Sequence, residues 1–161
     1  MKKLAFLLIA FLTCLAAWGQ ASAAPKLDRT DAAATAIAVL KAYAAKDLSA
    51  MSELANSDNR QIIRELIAQG ENHPRWRSIF SGGRWDAVSN WKGDLGEIRY
   101  FERAPFGQKE YVAEVQFAET TPNKVVVVAM SWEGGKWCFD DVNFPSREIF
   151  EQGSKTRPAT Q

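Results

Sequence analysis

Apolar positions fall into three regimes along this chain. The first is an uncharged run of fifteen residues from Leu4 to Trp18, preceded by Lys2 and Lys3 and followed by the small-residue triplet Ala21-Ser22-Ala23. That order predicts a secretory signal peptide over residues 1–23, cleaved after Ala23, because the run falls short of the roughly 20 apolar residues a membrane span needs. The second regime is helical. Ala33, Ile37, Leu40 and Ala44, with Tyr43 beside them, recur at steps of three and four, and either Thr30 or Asp28 is placed to cap their helix. Met51 and Leu54 mark a short second helix over 49–55. Ile62, Ile63, Leu66 and Ile67 form the stripe of a third, capped by Asp58 and stopped at Gly70.

The third regime begins after Gly70, where Pro74, Gly82 and Gly83 interrupt the helical pattern and the following residues are rich in aromatic and β-branched types. Five strands are predicted, over 84–91, 97–103, 110–119, 124–133 and 136–143, joined by short turn-bearing links that suit antiparallel neighbours. Alternation puts Tyr111, Ala113, Val115 and Phe117 on one face of the third strand. In the last strand it groups Trp137, Phe139 and Asp141 opposite Cys138, Asp140 and Val142. Helices first and strands later give an α+β fold, one domain over 24–150, with a polar tail over 151–161 predicted to be disordered.

Charge and cysteine content narrow the picture. Loss of residues 1–23 leaves 18 Lys plus Arg against 19 Asp plus Glu, a net charge of −1 that gives no general attraction to nucleic acid. Export as a periplasmic or secreted protein, without stable membrane insertion, points the same way. Cys14 leaves with the signal peptide, so Cys138, between Trp137 and Phe139, has no disulfide partner and reads as a small buried hydrophobe.

The Ala44-Ala45-Lys46-Asp47-Leu48 helix ending and the terminal hairpin Trp132-Glu133-Gly134-Gly135-Lys136-Trp137-Cys138-Phe139-Asp140-Asp141-Val142 carry a resemblance. Together they resemble the NTF2-like superfamily of cone-shaped α+β domains, and in particular its small exported members. The resemblance implies a curved sheet of about five strands wrapped around the helices, with an apolar pocket used for catalysis in some relatives and for binding or dimerisation in others. It supplies no catalytic positions here.

Candidate chemistry is sparse. His73, the single histidine, precedes Pro74 in a loop and reads as solvated; with one free cysteine it makes no conventional zinc site, and no phosphate loop or Gly-x-Ser-x-Gly elbow is present. No cofactor and no metal is expected. Asp140 and Asp141 point to opposite faces of a regular strand and reach one ligand together only if a bulge intervenes. Asp141 alone is a general-base candidate beside Tyr100 or Glu102, or else a structural carboxylate for a helix amide or for an arginine such as Arg99. Between His73 and Lys92, Arg75, Arg77, Arg84 and Lys92 interleave with Trp76, Phe80, Trp85 and Trp91, a composition suited to anionic or sugar-containing partners.

Three functions remain open. One is a non-catalytic binding or interaction module with Trp85, Tyr100, Trp132, Trp137 and Asp141 around a pocket and Arg75, Trp76 and Arg77 on an interaction surface. The others are a pocket enzyme of the isomerase or hydrolase kind using Asp141, and an immunity or inhibitor protein. The partners that fit are a small apolar or glycan-like ligand, another exported protein, or a second copy in a homodimer.

Overall fold

Short polar side chains set the helix starts in the computed structural model, which describes residues 26–153 and 156–159. The predicted signal segment, residues 1–23, lies outside the described residues. Asp31 accepts from the Ala33 and Ala34 amides and heads helix α1 (Ala32–Ala44), while Asp28 closes a tighter turn through Thr30. Asp47 caps α2 (Leu48–Leu54), which buries Met51 and Leu54 as expected. Asn56, rather than Asp58, caps α3 (Ser57–Gln69), and the helix stops at Gly70 with φ 57°, a left-handed conformation that costs glycine little.

The buried face of α1 is rotated from the predicted stripe. Ala32, Thr35, Ala36, Val39, Leu40, Ala42 and Tyr43 face inward, and Ala44 is exposed. In a helix this uniformly apolar, spacing scarcely distinguishes one side from another, and the large residues Val39, Leu40 and Tyr43 decide which side packs. In α3 only Ile63 and Leu66 are buried; Ile67 is exposed.

The first predicted strand is a helix. After a 3-10 turn (Gly70–Asn72) come α4 (Trp76–Phe80) and α5 (Gly82–Ser89), which packs against α1. Trp85, Val88 and Trp91 stand three apart, a helical spacing that outweighs their strand-favouring composition. The sheet therefore has four strands among the described residues, in the order β1 (Ile98–Arg103), β2 (Glu110–Thr121), β3 (Lys124–Glu133) and β4 (Lys136–Asn143), every neighbouring pair antiparallel.

One sheet face meets the helices: Ala113, Val115, Phe117, Val126, Val128, Met130, Trp137, Phe139 and Val142 share a core with Val39, Leu40 and Tyr43. Across the other face lies α6 (Arg147–Gln152), which sets Phe150 on Val125 and Val127. Strand β3 is thus buried from Val125 to Met130, a continuous apolar run expected of a doubly covered strand. Beyond Gly153 the tail read as disordered has described contacts: the Thr156 amide donates to the Tyr100 carbonyl, and Arg157 lies over the Tyr100 ring.

Register shifts leave Phe117 and Thr120 of β2 and Asp140 of β4 without paired partners. A bulge bends its strand and resets the alternation that follows. Val142 accordingly joins Trp137 and Phe139 in the core, the inward place that regular alternation assigned to Asp141.

Glu114 on β2 is half-buried, and desolvation raises its carboxyl pKa although the Arg103 charge opposes this. An acid whose folded pKa is raised disfavours the folded state once it ionises, so its cost is absent below the unfolded value of about 4.3 and appears as pH rises. Replacing Glu114→Gln is expected to raise the denaturation midpoint at pH 7 and to have little effect at pH below about 4. A midpoint lowered at pH 7 would show that the Arg103 attraction outweighs burial.

Candidate functional site

The link between α2 and α3 is stitched to the outer edge of β4. Ala55 bridges Phe139, the Asn56 amide donates to the Phe139 carbonyl, and the Asn56 side chain donates to Asp140 Oδ1 at 2.9 Å. This anchors α3 beside the bulged part of β4, and α4 and α5 close the other side. Between them lies a cleft of about 440 Å³, a volume within the range of small-molecule sites. Its apolar lining includes Met51, Ile63, Leu66 and Phe139, and its polar groups are Asp58 and Asn59 of α3, Arg75, Ser78, Arg84, Asp140 and Asp141.

The bulge at Asp140 meets the condition for both aspartates to line one cleft. They do so in different states of engagement. Asp140 is held on both oxygens, by Asn56 and by Arg103 Nη2 at 3.2 Å. Asp141 Oδ1 accepts from the Val142 amide at 2.8 Å and stands 3.1 Å from Arg84 Nη1, so its arginine is Arg84 and not Arg99. Burial pushes the Asp141 pKa up, while the Val142 amide and Arg84 hold it back. Tyr43, also on the cleft wall, donates its hydroxyl to the Ile79 carbonyl; burial lifts the phenol to about 12 and keeps it neutral.

Arg75 is the cleft cation with no ion pair among the described residues, in contrast to Arg84. Its backbone is held by His73. That histidine is buried, not solvated: Nδ1 accepts from the Arg75 amide at 3.1 Å and Nε2 lies 3.5 Å from Glu65 of α3. The sequence signal was present in the His-Pro-Arg turn, which pairs a side-chain acceptor with the amide two residues on.

The predicted binding residues do not form one pocket. Trp85 belongs to an aromatic group with Tyr43 and Phe80, and the Lys46 ammonium lies 5.0 Å from the Trp85 ring, 5.4 Å from Phe80 and 5.8 Å from Trp76. The anticipated Arg75-Trp76-Arg77 surface divides accordingly: Arg75 lines the cleft, Trp76 packs on Phe80, and Arg77 is exposed. Tyr100, Trp132 and Trp137 meet elsewhere, around a small cavity of about 80 Å³ that Thr30, Arg157 and Pro158 complete. Of the five residues predicted around a pocket, Asp141 is the one that lines the main cleft.

Cys138 is buried, with its thiol pushed up by desolvation against the opposing pull of Arg29, so it stays protonated and poorly nucleophilic. A further cavity of about 500 Å³ lies beside Trp91, Phe117 and Phe144; at its wall Trp91 Nε1 donates to the Asp94 carbonyl and Glu119 pairs with Arg147. Comparison with family models, curated proteins and solved structures finds no match to this chain.

Proposed function

We propose that this chain is a non-catalytic binding module, exported and of NTF2-like type, whose cleft takes an amphipathic small molecule with an anionic end. The observation that carries the reading is Arg75: a cation without a carboxylate partner among the described residues, its backbone amide held by buried His73, at the edge of a cleft lined by Met51, Ile63, Leu66 and Phe139. Such a site recovers hydrophobic free energy from the ligand body and a charge-assisted hydrogen bond from its head. Four antiparallel strands with most of the helices on one face support the NTF2-like reading, as do the bulges in β2 and β4.

Calorimetric titration with dodecanoate tests the proposal. Binding at one site is expected, weakened about tenfold or more by Arg75→Ala, since a hydrogen bond to a charged group is worth about 1.5–3 kcal/mol. Equal affinity in wild type and Arg75→Ala, or equal binding of dodecyltrimethylammonium, would overturn it.

A second reading rests on the Asp140 bulge, which brings two carboxylates to one cleft and leaves Asp141 with a raised pKa, as a general base requires. Asp141→Asn separates the two. A binding module shows no turnover with or without the substitution and keeps its dodecanoate affinity, whereas an isomerase or hydrolase turns over as wild type and loses that turnover in the variant.

A further inference from the structure

The aromatic residues absent from the main cleft form a separate slot. Tyr100 and Trp137 have ring centroids 5.8 Å apart, Trp132 and Trp137 5.0 Å, and the first of these residues lies on β1, whose one strand neighbour is β2. An edge strand offers backbone groups to an added extended segment, and aromatic side chains beside it offer faces to a cation and to a proline ring. Both kinds of contact are present, made by the chain's own tail. The Thr156 amide donates to the Tyr100 carbonyl at 3.1 Å, the Arg157 guanidinium sits 4.1 Å from the Tyr100 ring centroid, and Pro158 closes the small cavity with Trp132 and Trp137.

We infer that this slot is a peptide-docking surface for an extended partner segment presenting arginine followed by proline, and that Thr156-Arg157-Pro158 is the resident occupant which such a segment displaces. The resident grip is light. Arg157 is exposed where it lies over the Tyr100 ring, and a cation–π pair made by an exposed cation is weak. A proline fixes φ of its own residue and limits the one before it to extended conformations, so an Arg-Pro segment arrives already shaped for the edge. The tail competes because its tether gives it a high local concentration. Removing its arginine therefore exposes the intrinsic affinity of the slot.

The test uses the full chain and the peptide acetyl-Thr-Arg-Pro-Ala-amide, followed by tryptophan fluorescence and by the Trp132 indole N–H resonance. Arg157→Ala is expected to bind the peptide about tenfold more tightly than wild type, the margin set by loss of the tethered competitor. Trp132→Ala in that background is expected to abolish binding, and a peptide with alanine in place of arginine is expected to bind several-fold more weakly. Equal affinity in wild type and Arg157→Ala, or no shift at Trp132, would overturn the inference. Wild-type dimers that Arg157→Ala dissolves would also overturn it, by making the occupant the tail of a second copy. The slot shares none of the cleft residues, so failure here leaves the dodecanoate result unaffected, and the reverse.

Discussion

Trp137→Ala is expected to lower the unfolding free energy by about 3–5 kcal/mol, the range for truncating a large aromatic side chain in a core. The indole is 2 % exposed and packs between Tyr100 and Trp132. It belongs to the same cluster as Val39, Leu40, Met130 and Phe139, so its loss opens a cavity that α1 and the sheet line together and cannot both collapse to fill. Urea denaturation checks this: the midpoint should fall with the slope unchanged. A loss below about 1 kcal/mol would mean that the site repacks freely and that Trp137 is a surface residue in practice.

Arg29→Ala is expected to cost about 3 kcal/mol, because the side chain serves several backbone acceptors at once and each hydrogen bond to a charged group is worth about 1.5–3 kcal/mol. Its guanidinium donates to the Trp137 carbonyl through Nε at 3.1 Å and Nη2 at 2.6 Å, to the Glu53 carbonyl at 2.8 Å and to the Leu54 carbonyl at 2.9 Å. The Trp137 amide returns a bond to the Arg29 carbonyl at 2.8 Å. One residue before α1 thereby ties the carboxyl end of α2, where carbonyls lack intrahelical partners, to strand β4. Lysine keeps the charge but not the planar fork, so Arg29→Lys should restore less than half of the loss. Full restoration by lysine would show that charge alone matters, and a neutral Arg29→Ala would show that water replaces the guanidinium.

Both residues show where the sequence was informative and where it was not. Strands β2, β3 and β4 end within a residue or two of their predicted bounds, where turn residues stop them, although β3 is buried on both faces and bulges break the alternation of β2 and β4. The α2 and α3 stretches were legible from spacing, but Ile67 was not: it extends the stripe of α3 yet is exposed, while Ile63 and Leu66 carry the buried face. Residues 84–91 misled by composition. Trp85, Val88 and Trp91 favour strands as types but stand at helical intervals, and contact with α1 settles the matter.

The site was harder to read than the fold. Asp140 and Asp141 look mutually exclusive on a regular strand, and only the register slip against Ala129 and Met130 lets both line the cleft. No local composition announces such a slip, because it is set by the pairing of β4 with β3 and by the Asn56 and Arg103 bonds to Asp140. Arg29 was equally silent. A lone arginine before a helix carries no pattern, and its acceptors are distant in sequence. The aromatic residues grouped as one lining were too many for one pocket: some fill the core, some surround Lys46, and some meet the tail.

The cleft is where the account of function is decided, and methyl resonances read it directly. With dodecanoate added to the ¹³C-methyl-labelled full chain, shifts are expected to concentrate at Met51, Ile63 and Leu66 and to need about tenfold more ligand in Arg75→Ala. Shifts confined to exposed Ile67 and Ile149, or a wild-type spectrum unchanged at saturating ligand, would contradict it.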